Sequence, residues 1–221
     1  PVSGLTWKQC SEGRVYHPGS GGCTGEAGAF MAIPTSDLSE TSGVYFWLEG
    51  VNAGRLGENL GYADWRAPTL WELATLADPR CADPAIDTQA FPDTESGNYF
   101  GASGCGKYAA AGIDFASGDE SCVFIQSFTF LRLVRGPADN RRHFSLSVSP
   151  GGSVSTSPTA AFLSIYGSQG CTSEWLYGCS GDYFPGTAIR MQAVPDTGYR
   201  FSGWRGDCEG DSTTCAFSMG D

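Results

Sequence analysis

The side chains in this sequence that could do chemistry are two histidines, nine cysteines and a surplus of carboxylates. Spacing decides what they can be. His17 and His143 stand alone, with no cysteine two to four residues away, which is not the close Cys/His pairing that holds zinc. They leave few general bases, and no GxSxG, HExxH, P-loop or GxGxxG pattern is present. The chain is therefore read as non-catalytic, without cofactor or metal. Asp78, Asp83, Asp87, Asp93 and Glu95 crowd the Pro-rich stretch 78–97 and could face calcium. They lack the DxDxDG register of a calcium loop, so the expectation is solvated carboxylates.

The cysteines are interleaved with Gly, Ser and Thr and form no CxxC pair, which points to disulfides made in an oxidising compartment. Cys10 and Cys23 bracket the loop SEGRVYHPGSGG, which a bridge would close. Cys105 and Cys122 flank a hairpin and are expected to pair. Cys171 with Cys179 and Cys208 with Cys215 are the local pairings further on, although four cysteines allow three connectivities. Cys81 is left over, either free or bonded to a residue beyond this sequence.

Thirteen basic against 24 acidic residues give a net charge of -11. Up to Asn140 there are 8 Lys+Arg and 17 Asp+Glu, net -9; the remainder has 5 and 7, net -2. Such a surface repels phosphate backbones and anionic leaflets, so nucleic acid is excluded as a partner. The longest apolar run, Ala27 to Ile33, is too short to span a bilayer, so no membrane insertion is expected. No signal peptide is evident, as in a mature secreted or surface protein whose targeting segment has gone.

The stretch Gly61 to Glu72, GYADWRAPTLWE, organises the first part. Trp65 has the bulk to anchor a core, and Arg66 to satisfy buried carbonyls or a carboxylate. Pro68 forces an extended approach, and Thr69 with Glu72 forms a capping-box pattern. A helix is predicted from Leu70 to the break at Pro79, with Leu70, Leu73, Ala74 and Ala77 on one face. GLTWKQC reads as a first strand, VYFWLEGV (44–51) as a helix, and 98–115 and 121–135 as short strands around a turn at Gly118–Glu120. GPADNRR (136–142) breaks the pattern as a linker. Beyond it Phe144/Leu146/Val148, Ile189/Met191/Ala193, Tyr199/Phe201/Trp204 and Cys215/Phe217/Met219 mark strands.

The ordered series GLTWKQC, GYADWRAPTLWEL, DPAIDTQAFPDT and FLRLVR resembles the C-terminal domain family of bacterial collagen-like adhesins. That resemblance implies a C-type-lectin-like fold over 1–135, related to sulfatase-modifying domains, with first and last strands brought together. FSLSVSPGGSVSTSP, GTAIRMQAVPDTGYRFSGWRGDC and TTCAFSM resemble a divergent internalin B-repeat, implying a small β module over 143–221. The fold class expected is thus an α+β C-type-lectin-like domain followed by a small all-β repeat.

In such folds the ligand surface lies opposite the domain ends, here about Asn98 to Gln126. The exposed candidates within it are Tyr99, Lys107, Tyr108, Asp114, Asp119, Glu120 and Gln126, since aromatic and polar side chains combine stacking with hydrogen bonding. No EPN or QPD sugar motif is present, and no catalytic cysteine pair maps onto this chain. The function expected is an extracellular or surface adhesin-like binder of a glycan or protein on another surface, the repeat serving as spacer. The alternative is a self-assembling subunit of a surface fibre.

Overall fold

A computed structural model describes residues 4–32, 43–105, 109–124, 126–137, 140–157, 171–173 and 179–220, except the side chains of 143 and 179–182. The chain divides into two compact units, one of residues 1–103 and 109–139, the other of 104–108 and 140–221. Both are built mainly from small antiparallel sheets, so the molecule is β-rich. The described helices are short: α1, Val44–Asn52, and α2, Leu70–Ala74.

In the first unit β1 (Thr6–Trp7) pairs with β9 (Val134–Arg135), which joins GLTWKQC to FLRLVR. The organising stretch is fastened to the same place, because Arg66 and Val134 exchange both backbone hydrogen bonds, at 2.8 and 3.0 Å. Trp65 sits just before this bridge and is 3% exposed. Its backbone is clamped by Asn52, which accepts from Trp65 N at 2.9 Å and donates to its carbonyl at 2.8 Å. The indole Nε1 donates to Asn59 O at 2.7 Å. The end of α1 is thereby tied to the entry of α2, and Trp65 packs with Phe30, Val44, Val51, Phe100, Leu131 and Leu133. Burying an indole of this size supplies a large share of a small core.

The capping box on α2 is complete: Thr69 Oγ1 accepts from Glu72 N at 3.3 Å, and Glu72 Oε2 from Thr69 N at 2.9 Å. The helix is shorter than its pattern predicts and turns off at Thr75, before Pro79. Thr75 donates its hydroxyl to Glu72 O at 2.6 Å, competing with the helical ladder. Ala77 then leaves for a bridge with Ile86, and Asp78 N bonds Ala85 O at 3.0 Å. Sheet pairing with the following loop outweighs the helical period here.

Arg132 is completely buried, although it lies in an apolar strand-like run between Leu131 and Leu133. Its guanidinium donates to Lys8 O at 3.0 Å, Thr94 Oγ1 at 2.8 Å, Ser11 Oγ at 3.3 Å and Gln9 O. The rings of Phe91 and Tyr99 lie 4.9 and 5.8 Å from it. Arg66 instead takes the carboxylate of Glu72. A second buried ionic group joins Lys8 to Glu12 at 2.8 Å, with Trp47 Nε1 donating to Glu12 at 2.8 Å. These contacts satisfy charges that could not otherwise remain in the interior.

The 78–97 stretch is an ordered loop whose carboxylates mostly serve the chain. Asp93 accepts from Cys23 N at 2.7 Å, Asp87 from Gln89 N at 2.9 Å, and Glu95 pairs with Arg14. Asp78 is paired with Arg80, which lowers its carboxyl to about 2. Ala85 and Ile86 are buried, giving the loop a core of its own.

In the second unit β10 (Arg142–Leu146) pairs with β13 (Cys179–Tyr183), so a strand begins at Arg142, inside the expected linker. A four-stranded sheet runs in the order β12 (Cys171–Thr172), β11 (Gly152–Ser157), β14 (Ala188–Pro195), β15 (Thr214–Ser218). Ile189, Met191 and Ala193 point inward as alternation demands and pack with Val154, Trp204 and Met219. Tyr199, Phe201 and Trp204 do not form the expected strand. They lie in a loop held by a single bridge between Trp204 and Gly210, because the backbone partners here are the turn atoms of Asp196 and Gly210.

Disulfides join Cys10 to Cys23 and Cys208 to Cys215, and Cys105, Cys122 and Cys171 are also half-cystines. The side chain of Cys179 lies outside the described residues. Cys81 is a free thiol.

Candidate functional site

The segment from Asn98 to Gln126 forms a three-stranded sheet, β5 (Asn98–Gly104), β6 (Ala109–Asp114) and β7 (Asp119–Phe124), in that order. Close packing within it depends on two glycines. A Cβ on Gly112 would fall 2.2 Å from Tyr99 O, and one on Gly101 would fall 2.7 Å from Ala111 O. Small residues here let the strands and α2 approach, with Leu70 N donating to Ser103 Oγ at 3.1 Å.

The turn joining β6 to β7 is Phe115–Gly118, so Asp119 and Glu120 belong to the strand and not to the turn predicted at Gly118–Glu120. The reason is that Asp114 O closes the turn by accepting from Ser117 N at 3.2 Å and Gly118 N at 2.7 Å. Gly118 takes the left-handed conformation, φ 85°. The 83–86 loop braces the turn from outside, with Ala85 N donating to Phe115 O at 2.6 Å and Asp83 N to Ala116 O at 3.2 Å. The hairpin tip is thus a rigid platform.

Its register sets Asp114 opposite Asp119 and Ile113 opposite Glu120. Asp114 and Asp119 therefore share one face of the sheet, and Glu120 faces the other. Asp114 uses Oδ1 to accept from Ala116 N at 2.9 Å. Asp119 is exposed. Glu120 is half-buried, and its Oε2 is shielded from water without a hydrogen-bond partner among the described residues. That burial raises its carboxyl above the ordinary glutamate range. Two more shielded oxygens of this sheet, Asn98 Oδ1 and Ser121 Oγ, also lack partners among the described residues. The hairpin end is acceptor-rich and suits a ligand that donates hydrogen bonds.

The other expected site residues fare differently. Tyr99 is not exposed but wholly buried, since its hydroxyl meets Ser11 Oγ at 2.5 Å and accepts from Glu95 N at 3.1 Å. Its ring packs on Phe115 and Phe130, at 5.0 and 5.5 Å. It is a core residue. Gln126 is exposed but lies beyond the far end of β7, roughly 20 Å along the strand from Asp119. Its neighbours in sequence Phe124 and Phe128 are exposed. Lys107 and Tyr108 lie outside the described residues. Of the seven candidates, Asp114, Asp119 and Glu120 lie at the hairpin end, the first two on one face of the sheet and Glu120 on the other.

Among the described residues no group of three or more His, Cys, Asp or Glu side chains is placed to hold a metal ion. No described helix is long and apolar enough to cross a membrane.

The Lcl C-terminal domain family matches residues 1–135, and the divergent InlB B-repeat domain matches residues 166–221. Comparison with curated proteins yields no match. The two family matches follow the order expected from the sequence motifs, adhesin C-terminal domain first and repeat second.

Proposed function

From the premise that this chain belongs to the Lcl C-terminal domain family, we propose that it is a non-catalytic, extracellular or surface-associated adhesin-like protein. Its first unit is a C-type-lectin-like domain that binds a glycan or protein, and its β repeat is a spacer. The family matches and the disulfides fit such a location. The observation that carries the binding role is Glu120, a half-buried carboxylate whose shielded Oε2 has no hydrogen-bond partner among the described residues, at a hairpin end whose opposite face carries the exposed Asp119. Other carboxylates of this unit are committed: Glu12 to Lys8, Glu72 to Arg66, Asp64 to Arg135, Asp78 to Arg80 and Glu95 to Arg14. A polar group left unsatisfied in a shielded position is costly unless a partner arrives to use it.

The test is a broad glycan and host-protein binding screen with the full chain, with and without chelator. Asp114→Asn, Asp119→Asn and Glu120→Gln are then made in combination. The expected result is loss of the ligand with the fold retained; unchanged binding to every ligand of the wild type removes the assignment.

Cys81 favours a second reading, a covalently assembled fibre subunit, because it is the one thiol described as free and it is partly accessible. Ordered self-association on oxidation, with blank ligand arrays, would support that reading. Ready thiol labelling of a stable unreduced monomer would argue against it.

A further inference from the structure

The second unit contains a groove of about 440 Å³, bounded by residues 146–154, the end of β14 at 193–195, and the loop 199–205. Its volume is in the range of small-ligand sites. Arg200 and Arg205 are the charged side chains of its lining, and no carboxylate stands with them. Both are exposed, and neither has an ion-pair partner among the described residues. By contrast Arg14, Arg55, Arg66, Arg80 and Arg135 are each paired with a carboxylate. In a chain of net charge -11, two uncommitted guanidinium groups on one concave surface select for an anion.

The loop that carries them is fixed in place. Asp196 N donates to Gly151 O at 2.9 Å, Tyr199 N to Asp196 O at 3.0 Å, and Trp204 N to Gly210 O at 2.8 Å. The Trp204 indole donates to Ser212 O at 2.8 Å, and the Cys208–Cys215 disulfide closes the segment behind it. Tyr199 is 61% exposed, yet its ring is seated on Gly151, where a Cβ would come within 2.1 Å of Cδ1. An exposed ring held this way is a preformed stacking platform. Ser147, Ser149 and Ser153 add hydroxyls to the same lining.

An aromatic face, serine hydroxyls and guanidinium groups match a sugar ring that carries a carboxylate. The ring's C–H face lies on Tyr199, its hydroxyls bond the serines, and its carboxylate meets Arg200 or Arg205. A peptide added as an extra strand is disfavoured, because β11 and β14 are the inner strands of the four-stranded sheet. We propose that this groove binds carboxylated saccharides of the uronic-acid class, independently of the hairpin tip in the first unit.

The test uses the full chain and calorimetric or NMR titration with short oligomers of galacturonate, glucuronate and mannuronate, neutral oligosaccharides of equal length, and oligoglutamate. At least one uronate should bind about tenfold more tightly than its neutral counterpart, and less tightly as salt rises. Arg200→Gln and Arg205→Gln should each weaken it about two- to fivefold, and together remove most of the preference for the acidic sugar. Tyr199→Ala should weaken it about tenfold without altering the melting temperature. Asp119→Asn with Glu120→Gln should leave uronate binding unchanged. The proposal is overturned if no uronate is preferred over the neutral sugars, or if the double arginine variant binds as the wild type does. It is equally overturned if the Asp119/Glu120 variant loses the binding, or if oligoglutamate binds as tightly as any uronate.

Discussion

Arg66 and Glu72 meet at two points, Nη1 to Oε2 at 2.7 Å and Nη2 to Oε1 at 2.6 Å. The same Oε2 accepts from Thr69 N at 2.9 Å, so one carboxylate both caps α2 and anchors the arginine whose backbone bridges Val134. Glu72→Ala removes both functions and leaves a mostly buried guanidinium without its carboxylate, with Pro137 O as its remaining close acceptor, at a cost of about 3 kcal/mol. Thr69→Ala loses only the cap, about 1 kcal/mol. Urea unfolding of the two variants should show that ordering; equal losses would mean the ion pair contributes little.

Arg132 and Arg135 are three residues apart and should differ widely in what their removal costs. Arg132 donates into the carbonyls of Lys8 and Gln9 from a fully buried position. Arg135 pairs with an exposed Asp64 at 2.8 Å. Arg132→Met leaves those carbonyls without their donor and should cost on the order of 3 kcal/mol. Arg135→Met should cost far less, as the loss of surface pairs does. Thermal unfolding followed by near-ultraviolet circular dichroism would separate them.

That contrast also shows what the sequence made legible. The capping box at Thr69 and Glu72, the helix at Val44 and the inward alternation of Ile189, Met191 and Ala193 depend on local pattern, and each is present. What depends on distant partners was not readable. The premature end of α2 is set by a bridge to Ile86, and the burial of Tyr99 by Ser11, 88 residues away. Arg132 carried one faint signal, a charge inside an apolar run, which is where a buried cation with carbonyl partners belongs. At the candidate site, types were readable and facing was not: Asp119 and Glu120 are adjacent in sequence and lie on opposite faces of the sheet.

The Cys10–Cys23 bridge closes a 13-residue separation around the glycine-rich loop and its small hairpin, β2 (Val15–His17) with β3 (Gly22–Thr24). Replacing both cysteines by serine should lower stability by about 3 kcal/mol through the freed loop. The effect should appear in the first unit's unfolding transition. No change in midpoint would mean that Asp93, which holds Cys23 N at 2.7 Å, already fixes the loop.

Glu120 allows a structural carboxylate to be told from a functional one. Burial holds its carboxyl above the ordinary glutamate range, so the fold binds its proton more tightly than the unfolded chain does. Below the ordinary range both states are protonated and no penalty exists. As pH rises through that range the unfolded chain ionises first, stability falls, and the loss is complete above the raised folded value. Glu120→Gln abolishes this titration, so the variant should melt above the wild type at pH 7, with the gap closing near about pH 3.5. A carboxylate kept for packing would show no other change. One kept for a ligand should also lose binding in the variant that is the more stable of the two, which Glu72→Ala, losing stability outright, cannot imitate. Melting curves at both pH values beside a binding titration at pH 7 decide the matter: a variant that melts lower at pH 7, or that melts higher and binds unchanged, removes Glu120 from the site.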